Sequence, residues 1–323
     1  MKSPPVITID FETLPIQQRP EYPPKPVGVA IKWPGEAGRY YAWGHNSGNN
    51  CHLTDAKAEL SRVSRSGLPV LCHNAKFDVA VACEGLGLPD LPWQRIHDTM
   101  FLAYLCDPHA RSMGLKPLAA DLLNWPADEQ DELHGWILAH KAELEAAYPQ
   151  YGKVTKKTAG AWIFAAPGEM VGRYAVGDVE RTAALFEHLW PIVQAEGMGA
   201  AYDRERQLLP ILMENERTGM RVDLERLEQD IEGYSWAMDT VEAWLRKTLR
   251  ADGLNFDADR DVASVLLQQG IVPEAAWQST KSGQLSMSKE NLLPEHFTDP
   301  QIASALGYRN RLKTCLEMFM KPW

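Results

Sequence analysis

Val6-Ile7-Thr8-Ile9-Asp10-Phe11-Glu12-Thr13 is the stretch to which the rest of the chain answers. Its alternating, β-branched residues predict a strand, and two carboxylates stand at the strand's end. Residues two apart on an extended chain project from the same face. Asp10 and Glu12 therefore point together, at a spacing where like charges repel. A cation between them relieves that repulsion, and hard divalent ions such as Mg²⁺ favour oxygen ligands of this kind. For an isolated pair, two solvated acids at a strand end is the plainer account. What separates the two accounts is whether the chain supplies further ligands.

Working outward, the proline-rich segment from Pro15 to Pro26 predicts an irregular loop. Val27 to Trp33 and Arg39 to Trp43 read as two more strands around the turn-prone Pro34-Gly35-Glu36-Ala37-Gly38, which makes a three-strand meander. A helix starts at Thr54-Asp55, a short buried strand runs from Leu68 to Cys72, and a second helix passes through Phe77, Val81 and Ala82. Asp98-Thr99 opens another helix, and Leu115 to Leu123 repeats the apolar spacing. Asp128 to Tyr148 reads as helical, charged and amphipathic. Gly152 to Gly160 is basic and reads as a mobile loop, and one long helix runs from Glu169 to about Ala195.

The pattern then changes. Tyr202 to Gly219 and Asp223 to Arg250 are long amphipathic helices parted by Thr218-Gly219-Met220, followed by short helices and a polar loop at Ser279 to Ser288. Strands interleaved with helices, then a helical tail, predict an α/β domain over residues 1–200 and a helical one over 201–323.

A chain of 323 residues has room for both. Its 45% hydrophobic and 24% charged residues are ordinary for a soluble protein. No apolar run reaches membrane-spanning length and no basic-then-apolar leader is present, so a cytoplasmic location is expected. The five cysteines (Cys51, Cys72, Cys83, Cys106, Cys315) form no CxxC pair, which argues against a disulfide framework or a zinc site. A net charge of −10 argues against a nucleic-acid coat protein. It still permits an enzyme that holds a nucleic-acid end in a local cleft, where metal ions offset clustered acids.

Two further acids are set in suggestive places. In His73-Asn74-Ala75-Lys76-Phe77-Asp78, the aspartate falls in the first turn of a helix just past a strand. The helix dipole alone accounts for an acid there. In Arg173-Tyr174-Ala175-Val176-Gly177-Asp178, Tyr174 and Asp178 share one helix face at i,i+4. The small and apolar flanks of Asp178 predict partial burial, where an unpaired carboxylate is costly.

Taken in order, D-x-E on a first strand, N-x-x-x-D after a later strand and Y-x-x-x-D on a helix resemble the three exonuclease motifs of the DEDD superfamily. The tyrosine marks the tyrosine subclass; Arg173 stands where the other subclass carries histidine. The resemblance implies an RNase H-like fold, a mixed sheet with one antiparallel strand and flanking helices, and 3′→5′ hydrolysis by two divalent ions, Mg²⁺ or Mn²⁺. It implies metal-binding and catalytic roles for Asp10, Glu12, Asp78 and Asp178. Asp10 would lie between the metals, Glu12 and Asp178 would complete one site, and Asp78 would reach the second through water. Tyr174, with Glu12, would orient the attacking water. Asn74, Phe77 and Thr13 would bind substrate, although Asn74 serves equally as a helix cap and Phe77 as core. Asp98 is explained by a helix cap and stays outside the metal set.

The tail narrows the resemblance. Glu205 to Asp223 is similar to the segment that follows the exonuclease domain in family A DNA polymerases, with Gly219 suited to a left-handed helix terminus and Asp223 to an N-cap. Thr280 to Ser288 resembles the tip of that family's thumb, and Arg309, Arg311 and Lys313 lie on a final helix where the thumb approaches duplex backbone. No palm aspartate pair or fingers constellation follows Asp223. The implied partners are a DNA 3′ end and polymerase palm and fingers, either in cis in a longer polymerase or as a separate polypeptide of a split enzyme. The compact exonuclease portion is reminiscent of phage enzymes, which places the protein in the cytoplasm of a bacterium or phage-infected host. Two other readings stand beside this one: a ribonuclease D-like RNA exonuclease, and a non-catalytic module that binds DNA or a polymerase.

Overall fold

The structure, a computed structural model, describes residues 2–273 and 292–322. The loop from Thr280 to Ser288 lies outside them. Along the chain run β1 (Ile7–Thr13), β2 (Pro26–Lys32), β3 (Arg39–Ala42), α1 (Leu53–Arg65), β4 (Val70–Cys72), α2 (Ala75–Ala80), β5 (Ile96–Asp98), α3 (Thr99–Cys106), α4 (Leu115–Leu123), α5 (Asp128–Ala139), α6 (Lys141–Ala147), α7 (Gly168–Ala195) and α8 (Gly199–Thr218). α9 (Leu224–Thr248), α10 (Asp259–Gln268) and α11 (Pro300–Thr314) follow.

The five strands lie in the order β3-β2-β1-β4-β5. β2 pairs antiparallel with both β1 and β3, while β4 and β5 add in parallel on the other side of β1. The sheet is therefore mixed, with β2 running against the other four strands, as expected of an RNase H-like fold. β5 escaped the sequence reading because it is three fully buried residues with no alternation to reveal it.

The period-two side chains of β1 go to different layers. Ile7, Ile9 and Phe11 enter a core with Leu60 and Val63 of α1 and Val79 of α2. The opposite face, which carries Asp10 and Glu12, is crossed by α7, whose Val171, Ala175 and Val179 pack with Val27, Ala30, Tyr40 and Ala42 of the meander. The close approach of these layers depends on missing side chains. A Cβ on Gly28, which pairs with Glu12, would fall 1.9 Å from the Tyr40 hydroxyl, and one on Gly172 of α7 would fall 3.2 Å from the Tyr40 ring.

Two compact units divide the chain, Met1–Gly219 and Met220–Trp323. The boundary expected at residue 200 moves because α8 belongs with the first unit. Tyr202, Arg206, Leu209 and Met213 are buried there, with Leu209 and Met213 in the α1–α2 core and the Tyr202 hydroxyl oxygen accepting the Asp98 N–H at 3.0 Å and lying 3.1 Å from His97 Nδ1. α8 ends at Gly219, at φ +69°, a conformation that favours glycine. Asp223 then caps α9, its carboxylate accepting the Arg226 N–H at 3.1 Å.

The second unit is built on Leu245, Leu249, Val262, Leu266, Phe297, Ile302 and Leu306. It corrects one expectation. Arg309 is buried and cannot greet a phosphate: its Nε donates to Glu242 Oε1 at 2.8 Å, and its guanidinium also pairs with Asp257. Lys313 joins that same Asp257 at 2.7 Å.

Other segments also differ from expectation. The helix predicted from Asp128 to Tyr148 breaks at His140, which stacks on Trp136 with ring centroids 4.1 Å apart. The basic stretch from Gly152 to Gly160 is folded down. Val154 is buried, Glu145 accepts from its N–H and from Lys153 at 2.9 Å each, and Thr155 and Thr158 exchange hydrogen bonds. All five cysteines are free thiols. No helix among the described residues is long and apolar enough to cross a membrane.

Candidate active site

β1 delivers Asp10 and Glu12 onto the face that α7 covers, and α7 returns Tyr174 and Asp178 to the same place. Each of Asp10, Glu12 and Asp178 offers one carboxylate oxygen, and these oxygens all lie within 4.8 Å of one another. Glu12 and Asp178 are buried; Asp10 is partly exposed.

Crowding and burial together disfavour the charged forms. Burial, then the Asp178 charge, push Asp10 from its usual 3.8 up to about 7, against the pull of Lys116. Burial foremost, then Asp10 and Asp178, raise Glu12 well above the ordinary carboxylate range. Burial also raises Asp178, with Lys116 opposing. The same desolvation, reinforced by Asp178 and Glu12, lifts the Tyr174 phenol well above its usual value, so at neutral pH it is a hydrogen-bond donor and not a base.

The remaining expected residues are placed as follows. Asp78 is buried on α2 and lies outside the three-acid group; its Oδ1 accepts the Phe11 N–H at 3.1 Å. That bond ties it to the strand residue between Asp10 and Glu12, and its carboxyl is raised by burial and by Asp10. Asn74 is exposed and makes no side-chain cap; its backbone takes φ +70°, a left-handed conformation that asparagine tolerates. Phe77 is half-buried against the core. Thr13, at a register shift of β1, turns its hydroxyl to the Leu14 carbonyl at 2.8 Å. Asp98 is structural: it accepts the N–H groups of Asn74, Ala75 and Met100 at 3.1, 2.7 and 2.8 Å.

The structure adds residues that no local pattern announced. Lys116, near the start of α4, donates to Asp178 Oδ2 at 2.5 Å and lies 4.1 Å above the centre of the Tyr174 ring. Arg181, one turn beyond Asp178 and buried, is bound by Glu129 and the Pro126 carbonyl. Its nearest approach to Asp178 Oδ1 is 3.8 Å, too long for a hydrogen bond. Behind the meander, the Tyr40 hydroxyl donates to His45 Nε2 at 2.7 Å, while His45 Nδ1–H donates to the Phe164 carbonyl at 3.0 Å. The tautomer follows from the carbonyl partner.

The donor set fits a divalent cation. Asp178 Oδ1 is fully buried and lacks a hydrogen-bond partner, a costly state for a carboxylate oxygen. Three hard oxygen donors converge there with more negative charge than Lys116 offsets. Metal binding by this cluster is what its geometry and charge favour.

Comparison with known proteins agrees with this geometry. Residues 1–194 match the 3′-5′ exonuclease family of DNA polymerase A type. The DNA polymerase DpoZ of Vibrio phage phiVC8 is 27% identical over 268 residues, which cover 76% of this chain and 39% of DpoZ. DNA polymerase I of Chloroflexus aurantiacus is 28% identical over 294 residues, covering 89% of this chain and 28% of that polymerase. The chain thus spans well under half the length of these relatives. Among solved structures, the POL domain of Pol1 from M. smegmatis, in complex with DNA primer-template and dNTP, shares the fold at a TM-score of 0.64 and 17% identity, over 98% of this chain and 46% of that one. With well over half of its residues matching, this chain belongs to the 3′-5′ exonuclease family of family A DNA polymerases.

Proposed function

We propose that the chain removes nucleotides one at a time from a DNA 3′ end, in the manner of a proofreading exonuclease working with a family A polymerase. The observation that carries this reading is the convergence of Asp10, Glu12 and Asp178 around a buried carboxylate oxygen that has no hydrogen bond. Asp10, Glu12 and Asp178 would hold one divalent ion, Mg²⁺ or Mn²⁺, and Asp10 with Asp78 a second. Ions bound there neutralise charge on the phosphate and lower the pKa of the attacking water.

The protein groups have their own tasks. Tyr174, kept protonated, donates a hydrogen bond that orients the water, and Glu12 accepts from it. Asn74, exposed beside α2, and Thr13, at the end of β1, bind the terminal nucleotide, with Phe77 forming part of the wall. The names of the relatives, all DNA polymerases, favour DNA over RNA. In the same reading the helical unit Met220–Trp323 is thumb-like, and polymerase palm and fingers act with it in cis or on a separate polypeptide.

The test is direct. The purified chain, given 5′-labelled single-stranded DNA and Mg²⁺, should yield a ladder of products shortened one nucleotide at a time, and EDTA should abolish it. Mismatched ends should be cut faster than paired ones, because a paired terminus must first be unstacked. Asp10→Ala and Asp178→Ala should each lower the rate by roughly a thousandfold or more while leaving the fold intact. Undiminished rates in either variant would overturn the site, and preferential digestion of matched RNA would move the substrate to the ribonuclease D type.

A further inference from the structure

Lys116 has no explanation in its own helix. It sits in the first turn of α4, after Gly114 at the N-cap, where the helix dipole disfavours a cation. Its side chain is only 15% exposed and reaches away from solvent to Asp178 Oδ2 at 2.5 Å, with the ammonium over the face of Tyr174. The other cation beside Asp178, Arg181, is already bound by Glu129 and the Pro126 carbonyl. Lys116 therefore supplies the nearest positive charge to three crowded acids, on the one carboxylate oxygen of Asp178 that is satisfied. The other oxygen of that carboxylate has no hydrogen-bond partner, only the Arg181 guanidinium 3.8 Å away.

We propose that Lys116 is a tethered counter-cation for the acid cluster, standing beside Asp178 and Tyr174 when metal is absent and yielding when a divalent ion arrives. The inference rests on the metal-site reading above. It makes Lys116 a positioning residue that sets metal affinity from inside the site. An ammonium held in place keeps the acids gathered without metal, and the same charge must be displaced or opposed for a divalent ion to enter. Like charges at such distances in a partly buried site are felt strongly.

The test uses the full chain with Mn²⁺ as the probe. Isothermal titration should find Lys116→Met binding Mn²⁺ about tenfold more tightly than wild type, with Lys116→Arg close to wild type. In EDTA, Lys116→Met should melt below wild type, and saturating Mn²⁺ should close that gap. A difference in melting that persists unchanged in Mn²⁺ would make Lys116 merely structural and overturn the proposal. So would equal or weaker Mn²⁺ binding by Lys116→Met.

Should that variant not fold, the wild-type chain gives its own answer. Reaction of Lys116 with an amine-specific reagent, followed by peptide mass spectrometry, should rise several-fold when Mn²⁺ is added. Unchanged or reduced labelling overturns the proposal. Failure of wild type and variant alike to bind Mn²⁺ would instead overturn the metal site itself, and this inference with it.

Discussion

At the scale of single residues, the site is defined by charges that the fold holds against their preference. Asp10 is raised to about 7 by burial and by Asp178, so between pH of about 4 and 7 the folded protein keeps a proton that the unfolded chain has lost. More protons bound to the folded state means that stability falls as pH rises through that window. The neutral His73, partly buried, and His97, buried, lowered to about 4 and 3 by desolvation, act in the opposite direction, so the informative quantity is a difference. In EDTA, the thermal stability of Asp10→Asn relative to wild type should grow from pH 4 to pH 7, and added Mg²⁺ should reverse the order by stabilising wild type alone. A relative stability that stays flat across that range would contradict the buried-charge picture. Tyr174 tests the other half of the chemistry. Tyr174→Phe keeps the ring under Lys116 but removes the donor, and should slow cleavage by roughly ten- to a hundredfold without abolishing it, at an unchanged pH optimum. A loss as complete as that of Asp178→Ala would give the phenol a larger role than a donor.

At the scale of elements, two acids twenty residues apart, Asp78 and Asp98, behave as opposites. Asp78 accepts the Phe11 N–H, between Asp10 and Glu12 on β1, whereas Asp98 is consumed by three backbone N–H groups that hold the start of α2 against the start of α3. Asp98→Ala should therefore cost about 3 kcal/mol of stability by denaturant titration, leaving buried donors unpaired, yet metal titration should still find the site. The packing of β3 on β2 is as exacting: Gly28→Ala drives a Cβ into Tyr40 and should cost on the order of 2 kcal/mol. The cost should shrink when Tyr40 is also cut back to leucine, as coupled neighbours require. Such packing explains what the sequence made legible and what it hid. The pairing of Asp10 with Glu12 follows from the period of a strand, and that of Tyr174 with Asp178 from the period of a helix, so local geometry announced both. Lys116 carries no such mark, since Leu115-Lys116-Pro117-Leu118 reads as any helix start; only the docking of α4 beside α7 gives that lysine a partner. Arg309 erred in the other direction, because a basic residue on a terminal helix looks exposed until Glu242 and Asp257 are found folded around it.

At the scale of the whole molecule, the first unit is larger than its sequence pattern suggested. α8 looks like the beginning of the helical tail, but its apolar face closes the α/β core, with Tyr202, Leu209 and Met213 buried. A fragment ending at residue 200 should thus lose on the order of 5 kcal/mol against one ending at Gly219, at roughly 2 kcal/mol for each large apolar side chain uncovered. Calorimetry on the two fragments would decide it, and equal stability would return the boundary to residue 200. The separation of the acids along the chain has a further consequence. Asp10 and Glu12 leave the ribosome with the first strand, and Asp178 follows 166 residues after Glu12. A contact of such high order closes late, after most local structure has formed. Until α7 docks, the nascent chain presents two ordinary acids on a fraying strand; afterwards it holds the three-acid cluster. On the function proposed above, forms in which α7 has not docked would lack the site, and competence to cut would certify that this domain has folded.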